Sequence, residues 1–255
     1  MLTVRTSQIK VFERAARLRF EDEMVIHSKK FSVRLSELLG EQQLRIALRA
    51  AIAKAESYGF TYRGPVRLFI ELMFLCGSGF DTDPQYFALG ELLRAPGDQM
   101  ERAERIHEGV IDYLGRVSGP SNSNVHRALC DIQKFAKNST ELSWANFEAS
   151  MLHEVQSIFP EKANYIGEDG LNELIRDGVE EARKYGFPSP RGEALVVVLM
   201  FAFGHGCTDD PLYPWISRTL RDERIADPSA RAKRLEKKAT TWLEHVVARN
   251  GKLNL

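Results

Sequence analysis

The chain lacks net charge and has few cysteines. Its 35 Lys and Arg residues balance 35 Asp and Glu residues, so the formal net charge is zero. A sequence-independent nucleic-acid binder normally carries a positive field, because its affinity comes from neutralising phosphates. We therefore expect no nucleic-acid partner. The three cysteines, Cys76, Cys130 and Cys207, form no CxxC spacing, which argues against a disulfide framework or a zinc finger and favours a reducing compartment.

Long hydrophobic runs are also missing. The longest run, residues 194–203, has ten residues, whereas a membrane-spanning helix needs about twenty. The N-terminal segment has no apolar core of the kind found in secretory signals. These features predict a soluble, cytoplasmic protein that does not interact with membranes.

Familiar catalytic motifs do not occur in the chain. There is no GxSxG and no P-loop, and His153-Glu154 begins an HExxH string that fails at Ser157. We therefore expect no cofactor, no metal and no catalytic residues. An enzyme with its site between two halves of the chain is kept as an alternative, because such a site needs no contiguous motif.

The chain repeats its own sequence at an offset of 127 residues. Tyr58-Gly59-Phe60 recurs as Tyr185-Gly186-Phe187, and Leu72-Met73-Phe74 recurs as Leu199-Met200-Phe201. Between positions 20 and 86, 20 of 67 aligned positions are identical. The alignment indicates a tandem duplication of a module of about 110 residues, large enough to have its own core.

Both copies show apolar residues at helical spacing, and no segment alternates strictly enough to predict a strand. The sequence predicts an all-α fold with two tandem, duplicated helical bundles of about five helices each. The predicted modules are residues 1–117 and 139–255, joined by a linker with a short helix at 118–138. The predicted helices span 7–29, 41–58, 65–76, a short segment starting at Asp83-Pro84, 98–116 and 125–137, and then 143–158, 168–185, 192–204, 211–222 and 228–249.

Two glycine-bounded loops hold the strongest candidates for chemistry. Residues 80–84 (FDTDP) align with residues 207–211 (CTDDP), and paired carboxylates could bind a cation. The alternative is that Asp83 and Asp210 are helix N-caps, each followed by a proline at the first helical position. We favour the N-cap interpretation, because an EF-hand would require further oxygen ligands.

A few other residues could take part in chemistry. His205, Cys207 and Asp209 are metal-ligand types close together, but their spacing matches no common zinc pattern. Glu71 lies in an apolar helix, where burial would raise the pKa of its carboxyl group. The alternative for Glu71 is a position at the edge of the bundle, paired with Arg67 one turn earlier.

Loop residues differ between the two copies, whereas the packing residues are retained. This pattern is expected when a scaffold keeps its core and its loops make different contacts. Aromatic side chains and Arg dominate the energetics of interfaces. The predicted partner-binding residues are Tyr62, Arg63, Tyr86, Phe87, Arg191, Tyr213 and Trp215, with ordinary half-buried aromatics as the alternative for each.

Residues 58–86, YGFTYRGPVRLFIELMFLCGSGFDTDPQY, and the N-terminal MLTVRTSQ resemble a family of uncharacterised bacterial helical proteins. The shared features are a YG turn, an LMF helix and a DxDP turn, over roughly residues 1–95. The second copy departs from them with CTDDP. Members of this family are often encoded near type VI secretion effector genes.

The resemblance implies that the partner is a protein, namely a secreted toxin effector. The chain would then be a non-catalytic chaperone or adaptor for that effector. An immunity protein that binds and neutralises the toxin is the close alternative. A homodimeric structural protein is a further alternative, compatible with the composition and the repeat.

Overall fold

The computed structural model describes residues 6–137 and 142–250, and these ranges contain helices but no strand. The all-α prediction is confirmed. The α-helices are α1 (Thr6–Phe31), α2 (Val33–Ser57), α3 (Arg63–Cys76), α4 (Phe87–Arg94), α5 (Gln99–Val117), α6 (Ser123–Lys137), α7 (Phe147–Ile158), α8 (Pro160–Lys184), α9 (Pro190–Phe203), α10 (Pro214–Leu220) and α11 (Pro228–Asn250). Short 3-10 helices cover Pro84–Tyr86, Pro120–Asn122 and Trp144–Asn146.

Helices α1 to α5 and α7 to α11 follow the same order on either side of α6. In the first half α3 packs on α1, α2 and α5, and in the second half α9 packs on α7, α8 and α11. Residues 192–201 of α9 are all buried, as expected for a helix that is apolar on every face. Corresponding helices therefore occupy corresponding places, and the duplication and module boundaries stay predictions from the sequence.

Two helices begin earlier than the sequence predicts. α2 starts at Val33 rather than 41, and α8 starts at Pro160 rather than 168. Gly40 and Gly167 interrupt these helices with φ values of +69° and +78°. A glycine in the left-handed region usually ends a helix, but here a second helical segment continues beyond it, so each helix is bent.

The segments after the two Asp-Pro pairs also differ from the prediction. A 3-10 turn, Pro84–Tyr86, precedes α4, and α10 begins at Pro214 rather than at residue 211. The linker helix α6 forms where predicted and packs against α9 and α11, so it belongs with the second half. The predicted boundary between residues 138 and 139 lies outside the described residues.

The buried apolar residues of both halves form one connected core. The halves meet where α5 and the Pro84–Tyr86 turn pack on α8. This contact places the glycine-rich loop of one half beside that of the other. Within the described ranges, no helix combines the length and the apolar character needed to cross a membrane.

Candidate functional site

The two loops with paired aspartates lie against each other where the halves meet. We call residues 77–83 and residues 204–210 the crossing loops. A Cβ atom on Gly77 would lie 2.4 Å from the carbonyl oxygen of Phe203, and one on Gly204 would lie 2.7 Å from that of Cys76. The φ values of these glycines are +91° and +96°. Only glycine combines this backbone conformation with so close an approach.

The aspartates exchange hydrogen bonds across the crossing. Oδ2 of Asp83 accepts from the backbone N–H of His205 at 2.7 Å. In return, Oδ2 of Asp210 accepts from the backbone N–H of Ser78 at 2.7 Å. His205 aligns with Ser78 at the 127-residue offset, so the two bonds are equivalent. Each carboxylate thus ties its own half to the other.

The remaining oxygens of these carboxylates act locally. Oδ1 of Asp83 accepts from the N–H of Gln85 and caps the 3-10 turn, as predicted. Oδ1 of Asp210 accepts from the N–H of Leu212, although α10 starts further on. Burial raises the pKa of both carboxyl groups, and hydrogen bonds from backbone N–H groups oppose this effect. The geometry indicates a structural role for both residues.

The candidate metal ligands near the second crossing loop have separate partners. Nε2 of His205 lies 3.0 Å from Oγ1 of Thr82. Asp209 forms an ion pair with Arg221, and Cys207 is fully buried. In the part of the chain that the structure describes, no three His, Cys, Asp or Glu residues are grouped to hold a metal ion.

The charges beside the two crossing loops are different. In the first half, Nζ of Lys54 lies 2.5 Å from Oδ1 of buried Asp81, whose other oxygen accepts from the hydroxyl of Tyr58 at 2.7 Å. Burial raises the pKa of Tyr58 to about 12. In the second half, Thr208 aligns with Asp81 and donates to Glu181 at 2.7 Å. The two halves pack alike here, but the Lys54–Asp81 ion pair of the first half corresponds to the Thr208–Glu181 hydrogen bond of the second half.

Glu71 contacts the side chains of two residues, Arg67 and His27, rather than Arg67 alone. Nε of Arg67 donates to Oε1 of Glu71 at 2.9 Å, which confirms the predicted pair. Nε2 of His27 lies 2.7 Å from the same oxygen. Sequence reasoning missed His27, because it precedes Glu71 by 44 residues. The His27 and Glu71 side chains are each 20% exposed, and the contact joins α1 to α3.

The structure separates the seven predicted partner-binding residues into three groups. The exposed group is Tyr62, Arg63 and Phe87; the half-buried group is Arg191 and Trp215; and the buried group is Tyr86 and Tyr213. Residues in the last two groups make internal contacts. Arg191, for example, donates to the carbonyl oxygens of Phe135 and Ala136, and the ring of Tyr213 stacks on that of Phe203. The surface available to a partner is therefore smaller than predicted.

An exposed apolar surface lies on α1, where the sequence prediction did not place a binding site. α7, the counterpart of α1, starts at Phe147, which aligns with Phe20. Residues 6–19 of α1 therefore have no helical counterpart in α7, and we call them the α1 extension. Every side chain from residue 8 to residue 19 is exposed. The large apolar ones are Ile9, Val11, Phe12 and Leu18, with Val11 66% and Phe12 68% exposed.

Cationic side chains accompany the apolar ones on the α1 extension. The extension carries Lys10, Arg14, Arg17 and Arg19 against one acidic residue, Glu13. Two of the predicted partner-binding residues adjoin its base. The guanidinium of Arg63 lies 5.2 Å from the ring centroid of Phe20 and pairs with Glu23, which places Arg63 and the adjacent Tyr62 next to the extension.

A cavity of about 640 Å³ lies between the two halves, close to the crossing loops. Side chains from α3, α5, α6 and α9 line it, together with Lys162 at the start of α8. Two lining residues, Ser121 and Asn122, have φ values of +50° and +61°. Two consecutive non-glycine residues in the left-handed region are unusual, and such conformations cluster at functional sites.

Comparison with known proteins provides no relative for this chain. No protein-family model, no curated protein and no solved structure matches it. The resemblance to helical proteins encoded near type VI effector genes therefore stays a prediction. The functional candidates that the geometry supports are the α1 extension and the cavity between the halves.

Proposed function

We propose that this chain is a non-catalytic protein-binding adaptor that holds its partner through the α1 extension. One observation carries the proposal: the extension presents four large apolar side chains to solvent, Ile9, Val11, Phe12 and Leu18. Several large apolar side chains exposed on one segment are more typical of an interaction site than single scattered ones. In the described part of the second half, α7 begins at Phe147 and has no such extension directly before it, so the packing of this helix does not require one.

The chemistry of the α1 extension defines its partner. A helix with apolar and basic side chains fits an apolar groove with acidic residues at its rim, as in other helix-in-groove complexes. Full burial of each large apolar side chain contributes about 1.5–3 kcal/mol. The cationic side chains, such as Arg14 and Arg19, would add orientation and faster association more than affinity. Tyr62 and Arg63 extend this surface at its base.

The arrangement of the crossing loops supports binding rather than catalysis. Asp83 and Asp210 are the most chemically suggestive residues of the sequence, and each accepts hydrogen bonds from backbone N–H groups on both sides of the crossing. Carboxylates held in this way stabilise a fold. A general base needs a free oxygen within reach of a substrate proton.

The partner that we propose is a secreted toxin effector, which rests on the resemblance noted above. We favour a chaperone or adaptor over an immunity protein. A single exposed helix can bind in one groove of an effector, whereas an immunity protein has to cover an active site. The two roles predict different effects on toxin activity.

Affinity purification from native cells tests the proposal. The unaltered chain should recover one protein in stoichiometric amount. The Phe12→Glu, Leu18→Glu double variant should lose it, because two charges would enter the apolar groove. The matched control is Ile111→Glu, which places a charge on an exposed apolar position of α5 and should retain the partner.

The remaining outcomes distinguish the alternatives. Retention of the partner by the double variant would overturn the role of the α1 extension. An activity assay of the partner with and without this chain separates a chaperone, which leaves toxin activity intact, from an immunity protein, which abolishes it. Light scattering of the same samples identifies a homodimer, whose mass would fall to that of a monomer in the double variant.

A further inference from the structure

The cavity between the halves has an apolar wall and a small group of polar side chains. Its volume of about 640 Å³ is within the range of pockets that hold small ligands. The apolar wall includes Phe74, Leu114, Leu129, Ile132, Phe159 and Phe201. The ionisable side chains that line it are Lys162, His126, Tyr86 and Tyr113, and no Asp or Glu is among the lining residues. The cavity therefore favours an apolar ligand with a negative charge.

Lys162 is the charged group in this wall, and the module does not require it. The residue is only 3% exposed. The aligned residue in the first half is Leu35, which is also buried, at the same place near the start of α2. A lysine that replaces a core leucine carries a large desolvation cost. Buried charged side chains with this cost are found preferentially at functional sites.

The ammonium group of Lys162 has an incomplete set of partners. Nζ donates to the carbonyl oxygen of Phe201 at 2.6 Å and lies 5.3 Å and 5.0 Å from the ring centroids of Tyr86 and Phe201. No carboxylate of the described residues forms an ion pair with it. Asp83 is near enough to affect its pKa, but the oxygens of Asp83 already accept from His205 and Gln85.

A second polar group of the wall is also without a partner. Nε2 of His126 is buried and has no hydrogen-bond partner among the described residues. The hydroxyl groups of Tyr86 and Tyr113 interact with each other. Lys162 is thus a donor without an ion-pair partner among the described residues, and no Asp or Glu lines the cavity to supply one.

We propose that the cavity binds a fatty-acid-like carboxylate, with the carboxylate paired to Lys162 and the hydrocarbon chain along the apolar wall. One ammonium group matches the single charge of a carboxylate. A phosphate carries more charge and is usually held by several cationic or backbone N–H groups. This inference is independent of the proposed protein partner.

Isothermal titration with decanoate and with decanol, both below their aggregation limits, tests the inference. The unaltered chain should bind decanoate at least about tenfold more tightly than decanol, because only the acid pairs with Lys162. Lys162→Leu restores the residue type found at Leu35 and should remove this preference while decanol binding is unchanged. The control Lys134→Leu changes an exposed lysine on α6 and should behave like the unaltered chain.

A second variant addresses the cavity without changing its charge. Leu129→Trp fills the space beside the apolar wall, so the variant should lose both ligands. Circular dichroism on the same samples checks that each variant is folded. Absence of decanoate binding to the unaltered chain, equal affinity for decanoate and decanol, or undiminished binding by Leu129→Trp would each overturn the inference.

Discussion

At the glycines and aspartates of the crossing loops, the two halves of the chain make equivalent contacts. Gly77 and Gly204 each bring their backbone against the other half, and Asp83 and Asp210 each accept a backbone N–H from across the crossing at 2.7 Å. Away from the crossing the halves differ. Position 35 is a core leucine, whereas its counterpart is the buried Lys162 at the wall of a cavity.

The helices α1 and α7 show the same contrast on a larger scale. They correspond from Phe20 and Phe147 onward, yet only α1 continues toward the N-terminus, with every described side chain exposed there. Positions that both halves share are explained by backbone contacts and core packing. Positions that differ, such as the α1 extension and Lys162, have no such explanation, and we assign the functions to them. Variants at four kinds of position test this comparison.

The largest effect is expected at the crossing glycines. Gly77→Ala and Gly204→Ala should each lower the free energy of unfolding by about 4 kcal/mol, because the added Cβ meets a carbonyl oxygen and φ is positive. Urea denaturation measures the change. The control Gly115→Ala, at a helical position with open space, should be neutral or slightly stabilising. If either variant lowered the free energy of unfolding by less than about 1 kcal/mol, the backbones of the two halves would not approach each other this closely.

The crossing aspartates should show the next largest effect. Asp83→Ala and Asp210→Ala each leave two N–H groups without an acceptor, one buried and one part-buried, which should cost about 3 kcal/mol. Asp98 is the matched control, since it caps the exposed start of α5 and makes no contact across the halves. Asp98→Ala should cost about 1 kcal/mol. Equal losses at all three positions would show that the crossing bonds add nothing.

Lys162→Leu should increase stability at neutral pH. Burial lowers the pKa of Lys162 from 10.5 to about 8, which corresponds to a penalty of roughly 3 kcal/mol on the charged form. Loss of the bond to Phe201 offsets about 1 kcal/mol of this, so the net gain is about 2 kcal/mol. Denaturation of the ligand-free protein at pH 7 measures it, and a destabilised variant would contradict the prediction.

The pH dependence of the same pair of proteins provides a second test. Between pH 8 and pH 10.5 the unfolded chain holds a proton on Lys162 that the folded chain has released. The unfavourable contribution of Lys162 to the free energy of unfolding therefore becomes smaller as the pH increases through that window. The advantage of Lys162→Leu should shrink toward pH 10.5. A constant difference between the two proteins would show that Lys162 is not buried as described.

The smallest effect on stability is expected at the α1 extension. Phe12→Glu replaces a side chain that is 68% exposed, so its unfolding free energy should change by less than about 0.5 kcal/mol. Thermal unfolding measures the change. A larger loss would mean that Phe12 packs against this chain rather than against a partner.

The sequence predicted those parts of the fold that depend on local signals. The apolar spacing located the helices, Gly77 marked the end of α3, and Asp83 before Pro84 predicted a cap. The beginnings of α2 and α8 were missed because Gly40 and Gly167 carry a stop signal inside a continuous helical segment. Local pattern alone cannot distinguish a bend from an end.

The candidate site depended on contacts between distant parts of the chain. His205 follows Asp83 by 122 residues, and the distance along the chain between Glu71 and His27 is 44 residues. No spacing rule connects such pairs. The start of the internal alignment at residue 20 did mark the α1 extension as unmatched, and the comparison of Lys162 with Leu35 was also present in the sequence. Their significance depends on exposure and burial, which require the fold.

We propose that positions shared by the two halves maintain the fold and that unshared positions carry the function. The most direct measurement combines partner recovery and thermal unfolding on one sample of the Phe12→Glu, Leu18→Glu variant. We expect an unchanged midpoint of thermal unfolding together with loss of the stoichiometric protein partner. A lowered midpoint would show that the α1 extension stabilises the fold. A retained partner would show that the α1 extension is not part of the binding surface. Either result would contradict the claim.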